Sequence, residues 1–116
     1  MTIMTYIGID VSKDSFVAAY PTKSGYTTKS LPNTTSGVRK FISSLPKESH
    51  CVMEATGNYS MLLLYLLQQA NITVSMENPQ KIKHFARAML STTKTDEIDA
   101  KLIALYGEKM NPSPYK

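Results

Sequence analysis

The order of strand-like and helix-like segments is the feature that most limits how this chain can fold. Two segments rich in β-branched and aromatic residues, 2–11 and 15–21, stand on either side of a short polar turn and predict a β-hairpin. Residues 24–32 could add a third antiparallel strand. Strand-like and helix-like segments alternate after this meander. The pattern therefore predicts an α/β domain with a mixed sheet flanked by helices.

The alternating part of the chain divides into helices and strands by its apolar spacing and its capping residues. Asn78 followed by Pro79 is typical of a helix start, and Pro46 is typical of a stop after an amphipathic helix capped by Thr35 or Ser36. The predicted segments, in order, are an amphipathic helix within 33–46, a buried strand over 50–57, a helix over 59–70 that is apolar nearly all round, a strand over 71–78, a helix over 80–89 and a last helix within 94–107.

Composition suits a single globular domain and excludes several classes of protein. The 116 residues are 42% hydrophobic and 19% charged, as in one soluble domain with one core. The most apolar run, 61–67, is far shorter than the roughly 20 residues that span a bilayer, and the N-terminus lacks a signal-peptide pattern. A single cysteine and two histidines exclude an internal disulfide and a zinc-ligand set. We expect a cytoplasmic protein with Cys51 and Tyr59 in its core, although Tyr59 could instead stack on a base.

Positive charge is concentrated in the second half of the chain. The net charge is +4, and the stretch 79–94 holds four basic residues and no acid, namely Lys81, Lys83, Arg87 and Lys94. Lys83 and Arg87 lie on one face of the predicted helix in this stretch. That face is either simply solvated or a contact surface for a polyanion such as nucleic acid. The same two alternatives apply to Lys94, before the last helix, and to Lys13, in the first hairpin turn.

The last predicted helix places two carboxylates on or beside the face that should be buried. At about 100° per residue, its large apolar side chains cover one arc, with Asp99 inside that arc and Asp96 at its edge. The predicted buried residues are Ile98, Leu102, Ile103, Leu105, Tyr106 and Met110, and the predicted solvent face is Glu97, Lys101, Ala104 and Glu108. Burying an unpaired carboxylate is costly. Either Asp96 is the N-cap and Asp99 a first-turn acid near water, or both belong to a site.

Two further acids end apolar strands. Asp10 closes the first predicted strand and Glu54 the strand within 50–57, and active-site residues of α/β sheets gather at such strand ends. A lone acid there is usually a turn residue, but two of them together with Asp96 and Asp99 favour a shared site. Four converging carboxylates repel one another, and two divalent cations would balance their charge. Ligands that are all oxygen suit Mg²⁺ or Mn²⁺ better than zinc.

Four short motifs connect these residues to a known family. The motifs YIGIDVSK, MEATGNY, NP and KTDEIDA, in this order and at these intervals, resemble the N-terminal domain of the DEDD transposases of the insertion-sequence-110 type, which include Piv-like DNA invertases. The resemblance implies an RNase H-like, RuvC-like fold over residues 1–110. It also implies that the metal ligands and catalytic residues are Asp10, Glu54, Asp96 and Asp99. The expected cofactor is Mg²⁺ or Mn²⁺, as two ions.

The resemblance further implies a reaction and its partners. The reaction would be DNA transposition by cleavage and rejoining of phosphodiester bonds, directed in some family members by a structured guide RNA. The full-length protein is expected to act as a homo-oligomer. Family members carry a C-terminal domain with a serine implicated as nucleophile. Residues 111–116 would then begin the linker to a domain that this chain lacks, and the chain alone is expected to be an incomplete recombinase.

Three other functions compete with this prediction. A nucleotide-binding module of the actin and sugar-kinase type also has an Asp and a small hydroxyl residue in its first hairpin, but it requires glycine-rich phosphate loops and a second lobe. A proofreading-type DEDD exonuclease begins with Asp-x-Glu, whereas position 12 holds Ser12. A non-catalytic nucleic-acid-binding domain, whose acids only cap helices, would show no specific response to divalent metal.

Overall fold

A five-stranded mixed sheet forms the centre of the computed structural model, which describes residues 4–55, 57–89 and 95–115. The strand order is β3-β2-β1-β4-β5, and the strands are β1 (Thr5–Val11), β2 (Ser15–Thr22), β3 (Gly25–Pro32), β4 (Ser49–Glu54) and β5 (Thr73–Glu77). The first three strands form an antiparallel meander, β4 lies parallel to β1, and β5 lies parallel to β4. The predicted hairpin, third strand and mixed sheet are therefore confirmed.

Four α-helices connect and cover the strands, and their starts follow from capping side chains. They are α1 (Thr35–Ser43), α2 (Met61–Gln69), α3 (Pro79–Ala88) and α4 (Asp96–Met110), and a 3₁₀ turn (Gly57–Ser60) precedes α2. The Asn78 side chain accepts a hydrogen bond from the Gln80 N–H, as predicted. The α1 cap is Thr34, one residue earlier than expected, and its Oγ1 accepts from the Gly37 N–H.

The two faces of the sheet are covered in different ways. Large apolar side chains of α1 and α2, such as Phe41 and Leu63, pack on one face against Ile7, Ile9 and Met53. The opposite face is covered mainly by α4, which lies across β1 and β2, and by α3 beside it. Cys51 is a fully buried residue of the first face, so its predicted place in the core is confirmed.

The side of α4 that meets the sheet was predicted only in part, since Ile103 and Tyr106 are buried as expected. Ala104, expected on the solvent face, is 0% exposed, and Met110, expected inside, is 58% exposed. The reason lies in β1, where a Cβ added to Gly8 would lie 2.1 Å from the Ala100 carbonyl oxygen and 2.3 Å from the Ala104 nitrogen. The α4 backbone therefore lies directly on that of β1 through its small residues. Large side chains such as Ile103 fill the space beside this line of contact.

The outer side of α2 is exposed, although the sequence predicts a helix that is buried nearly all round. Four of its leucines, including Leu63 and Leu67, are buried, whereas Met61 is 49% and Tyr65 59% exposed. A single layer of helices covers this face, so the far side of α2 meets water. Tyr59, in the 3₁₀ turn, is 49% exposed. The expectation that Tyr59 belongs to the core is therefore wrong.

Residues 111–115 turn back onto the domain after α4. Asn111 ends the helix in the left-handed conformation, with φ of 46°. The Ser75 hydroxyl donates to the Ser113 carbonyl oxygen at 2.8 Å, and the Tyr115 N–H donates to the Val74 carbonyl oxygen at 2.7 Å. This segment therefore packs along the edge of β5, and its continuation into a linker stays a prediction. None of the helices in the described ranges has the length and apolar character needed to cross a membrane.

Candidate active site

The sheet places two of the four predicted site acids side by side. Ile9 of β1 pairs with Met53 of β4 in parallel register, so the next residues along, Asp10 and Glu54, are neighbours at the carboxyl ends of adjacent strands. Side chains alternate between the two faces of a strand, and Gly8, two residues before Asp10, faces α4. Asp10 therefore points toward the α4 side of the sheet, and both acids are half-buried.

The N-terminal turn of α4 supplies the other two acids. In addition to burial, the negative charges of Asp96 and Asp99 both act on Asp10 and raise its pKa, and hydrogen bonding with the Asp96 side chain contributes to the same shift. Asp99 is half-buried and Asp96 is exposed, which agrees with their predicted places inside and at the edge of the buried arc. The N-cap of α4 is Thr95, whose Oγ1 accepts from the Ile98 N–H at 3.1 Å. The alternative in which Asp96 serves as the cap is therefore wrong.

Contacts on both sides hold α4 in this position across the sheet. The Tyr106 hydroxyl donates to Glu77 Oε2 at 2.8 Å, at the end of β5. The Tyr26 hydroxyl of β3 donates to Glu108 Oε2 at 3.2 Å. These two hydrogen bonds reach the outermost strands of the sheet, and the contact of Gly8 with the helix backbone lies between them. The first turn of α4 is thus fixed relative to the end of β1.

The pKa of Asp10 shows that negative charges lie close together at this point. The pKa of this carboxyl is raised to about 7, first by burial and then by the charges of Asp96, Asp99 and Glu54. A proton bound to Asp10 relieves part of this repulsion. A cation is the other way to relieve this repulsion.

The donor atoms of the cluster suit a hard divalent cation. All four predicted ligands are carboxylates, and oxygen ligands favour Mg²⁺ or Mn²⁺. Across the ranges that the structure describes, no three Asp, Glu, His or Cys side chains are already drawn together as a complete ligand set. The four acids are instead linked through Asp10, on which the charges of the other three converge. The chemistry of the donors therefore fits the metal, and Asp10 is the acid common to the cluster.

A cleft of about 220 Å³ lies beside the cluster and brings a base to it. Glu54 and Asp99 line one part of the cleft, Lys83 of α3 lines another, and the remaining walls are apolar. Arg87 is exposed one turn further along α3, and Lys13 is exposed in the turn after β1. Lys94 lies outside the described residues. The structure thus brings Lys83 to the carboxylates and leaves Lys13 and Arg87 open to solvent.

Asn33 was not singled out from the sequence but connects the two acid-bearing strand ends. Its Nδ2 donates to the Ser12 carbonyl oxygen, at 3.0 Å, and to the Tyr59 carbonyl oxygen, at 2.9 Å. The sequence pattern placed the α1 cap at Thr35 or Ser36 and assigned no role to Asn33. The partners are 21 and 26 positions away, and no local pattern encodes such contacts.

Comparison with solved structures defines the fold class. The chain is similar to Thermus thermophilus RuvC in complex with a Holliday junction substrate, with a TM-score of 0.66 at 13% sequence identity, over 97% of this chain and 100% of that chain. A second structure of Thermus thermophilus RuvC gives a TM-score of 0.63, also at 13% identity and with the same coverage. The predicted RuvC-like, RNase H-like fold is therefore confirmed.

Comparison of sequences identifies the family within this class. A family model described as Transposase, that of the DEDD transposases of the insertion-sequence-110 type, matches residues 7–115. The chain belongs to this transposase family, as its motifs predict.

Two curated relatives are described as pilin gene-inverting proteins. The protein from Moraxella lacunata is 33% identical over 114 residues and that from Moraxella bovis 32% identical over 114 residues, each match covering 93% of this chain. The matched region is 35% of the length of each relative. The chain thus spans about a third of the curated relatives that it matches.

Proposed function

We propose that this chain is the metal-dependent catalytic domain of a DNA transposase or site-specific recombinase. The observation that carries the proposal is the cluster around Asp10, in which Asp96, Asp99 and Glu54 oppose its ionisation at the ends of two parallel strands. Membership of the transposase family supports the same class of reaction. Relatives described as pilin gene-inverting proteins support recombination of DNA in particular.

In this proposal Asp10, Glu54, Asp96 and Asp99 would hold two Mg²⁺ or Mn²⁺ ions. When bound, the ions would activate a nucleophile and stabilise the leaving oxygen of a phosphodiester. Asp10 must lose its proton before it can bind metal, and Glu54, Asp96 and Asp99 complete the ligand set. The chemistry is cleavage and rejoining of DNA strands. The attacking nucleophile would be water or a serine of another domain.

The basic residues around the cleft would contact the DNA backbone. Lys83 lines the cleft next to Glu54 and Asp99. A DNA phosphate attracted by metal ions on these carboxylates would therefore lie beside the positive charge of Lys83. Lys13 and Arg87 would extend this contact, and Lys94 stays a prediction from the sequence. The similar RuvC was solved with a Holliday junction, which supports DNA as the partner. A guide RNA, a homo-oligomer of the full-length protein and a cytoplasmic location also stay predictions.

The proposal is tested by titrating Mn²⁺ into the chain while measuring its melting temperature. A ligand that binds only the folded state raises this temperature with concentration. We expect a rise for the wild type and none for Asp10→Asn, which should itself be folded because the substitution removes charge repulsion. Asp14→Asn, an exposed acid in the turn after β1, is the matched control and should respond as the wild type does.

Two results would count against the proposal. A wild type that ignores Mn²⁺ would favour a non-catalytic nucleic-acid-binding domain, in which the acids serve only the helix. An equal response in the wild type and in Asp10→Asn would place the metal elsewhere on the chain. Cleavage and rejoining of DNA strands are then tested in the full-length transposase, where Asp10→Asn should abolish recombination.

A further inference from the structure

One side chain reaches both of the turns that follow the acid-bearing strands. Asn33, between β3 and α1, donates through Nδ2 to the carbonyl oxygens of Ser12 and Tyr59. Its backbone N–H donates to the Asp14 carbonyl oxygen at 2.9 Å. The turn of Ser12 and Asp14 joins β1 to β2, and Tyr59 lies in the 3₁₀ turn after β4. Three hydrogen bonds from one residue therefore join two segments that are far apart in the sequence.

These two turns begin within a few residues of the acids at the centre of the site. Ser12 is two residues after Asp10, and the 3₁₀ turn begins three residues after Glu54. We infer that Asn33 is a positioning residue, whose carboxamide fixes the separation of these turns and thereby the spacing of the Asp10 and Glu54 carboxylates as metal ligands. This inference rests on the proposed function, since it assigns Asn33 a role in holding the metal-binding geometry.

The chemistry of the side chain explains why an asparagine fills this position. A primary amide has two N–H hydrogens on one nitrogen, and Asn33 uses that nitrogen to bond two carbonyl oxygens at once. Aspartate at neutral pH has no hydrogen to donate, and serine has one. Its Oδ1 is buried and makes no hydrogen bond within the described residues, so the donor end of the amide makes the connections.

The inference is tested by measuring Mn²⁺ affinity by calorimetry, at a temperature well below the melting point, for the wild type, Asn33→Ala and Asn33→Asp. Replacing a residue that positions metal ligands typically lowers the affinity for the metal by about 10- to 100-fold. We therefore expect about tenfold weaker Mn²⁺ binding in both variants. Asn33→Asp keeps the shape of the side chain but cannot donate. Its added negative charge would strengthen cation binding if charge alone decided the affinity, so weaker binding points to position.

A neighbouring variant controls for general loss of stability. Thr34→Ala removes the side-chain cap of α1, which destabilises a helix, without touching Ser12 or Tyr59. We expect this variant to melt earlier and to bind Mn²⁺ as the wild type does. Equal weakening in Thr34→Ala would overturn the inference, because instability alone would then explain the effect.

Amide hydrogen exchange separates this inference from the proposed function. In Asn33→Ala the amides of both turns, 12–14 and 57–60, should exchange faster together, whereas Thr34→Ala should affect only the start of α1. If the wild type binds Mn²⁺ and the Asn33 variants bind it equally well, the positioning role is wrong and the metal site stands. If the wild type binds no Mn²⁺, the proposed function fails and the role of Asn33 fails with it.

Discussion

The helices pack on the two faces of the sheet in different ways, through large side chains on one face and through backbone contact on the other. On the α1 and α2 face, large side chains such as Phe16 and Phe41, with ring centroids 5.3 Å apart, fill a thick apolar layer. On the α4 face, Gly8 brings the helix backbone against that of β1. The first arrangement stabilises the domain through buried apolar area. The second fixes the distance between a helix and a strand, and the acids lie at the end of that contact. Stability and the geometry of the site are therefore assigned to different faces.

The largest expected effect is a loss of stability without a loss of metal binding, on the α1 and α2 face. Phe41 is fully buried, so Phe41→Ala should lower the free energy of unfolding by about 4 kcal/mol, measured by chemical denaturation. Mn²⁺ affinity measured under folding conditions should stay within about twofold, because roughly 0.4 kcal/mol of coupling is expected between groups on opposite faces of the sheet that share no contact partner. The milder substitution Phe41→Leu should leave the Mn²⁺ affinity unchanged and lower the free energy of unfolding by less. Metal affinity that falls in step with stability would mean that the two faces are not separable.

A smaller loss of stability, but a large loss of metal binding, is expected on the α4 face. In Gly8→Ala the new Cβ would meet the backbone of Ala100 and Ala104, so α4 must move, at a cost of about 3 kcal/mol. That movement displaces Asp96 and should weaken Mn²⁺ binding. Gly107→Ala should have a smaller effect than Gly8→Ala, because its Cβ would meet the side chains of Tyr6 and Val52 and not the backbone. Unchanged Mn²⁺ affinity in Gly8→Ala would contradict the role given to this contact.

Stability should depend on pH because of the acid cluster on the α4 face. Asp10 has its pKa raised from 3.8 to about 7 on folding, so between these values the folded chain binds more protons than the unfolded chain. Without metal, stability should therefore fall as pH rises from about 4 to about 7, and then level off. The change should be about 1 kcal/mol, since water screens this half-exposed carboxyl.

Asp10→Asn is the control for this titration. It should remove the fall in stability and leave the variant more stable than the wild type at pH 8. Mn²⁺ competes with the proton on Asp10, so the affinity of the wild type for Mn²⁺ should rise with pH up to about 7. A fall in stability of equal size in Asp10→Asn would assign the titration to another group.

The smallest effect concerns the charges on the outer surfaces of the helices. If Lys83 and Arg87 contact phosphates, replacing both with Ala should flatten the plot of log affinity for duplex DNA against log salt by nearly two units, at about 0.9 per contact. Arg39→Ala with Lys40→Ala removes the same charges from α1, on the other face, and should leave the slope unchanged. Equal effects of the two pairs would indicate non-specific attraction by net charge. A loss limited to one DNA sequence would contradict a phosphate contact, which carries no base information.

Part of the candidate site could be predicted because its residues lie at the ends of regular elements. Asp10 and Glu54 end apolar strands, and parallel register then makes them neighbours. The orientation of α4 could be predicted only in part. Large apolar residues mark the buried face of most helices, but α4 packs through Ala100 and Ala104, which a pattern search treats as neutral. Asn33 could not be predicted, because its contacts depend on loops that meet only in the folded chain.

The sequence by itself determined the succession of strands and helices along the chain, the start of α3 at Asn78 and Pro79, and the two strands that carry acids at their ends. These features depend on neighbours along the chain, through the periods of strands and helices and through local hydrogen bonds. Tertiary structure decided how closely α4 approaches β1 and how exposed Tyr59 is. Both depend on what lies across the fold, where the missing side chain of Gly8 lets the helix backbone lie against the strand.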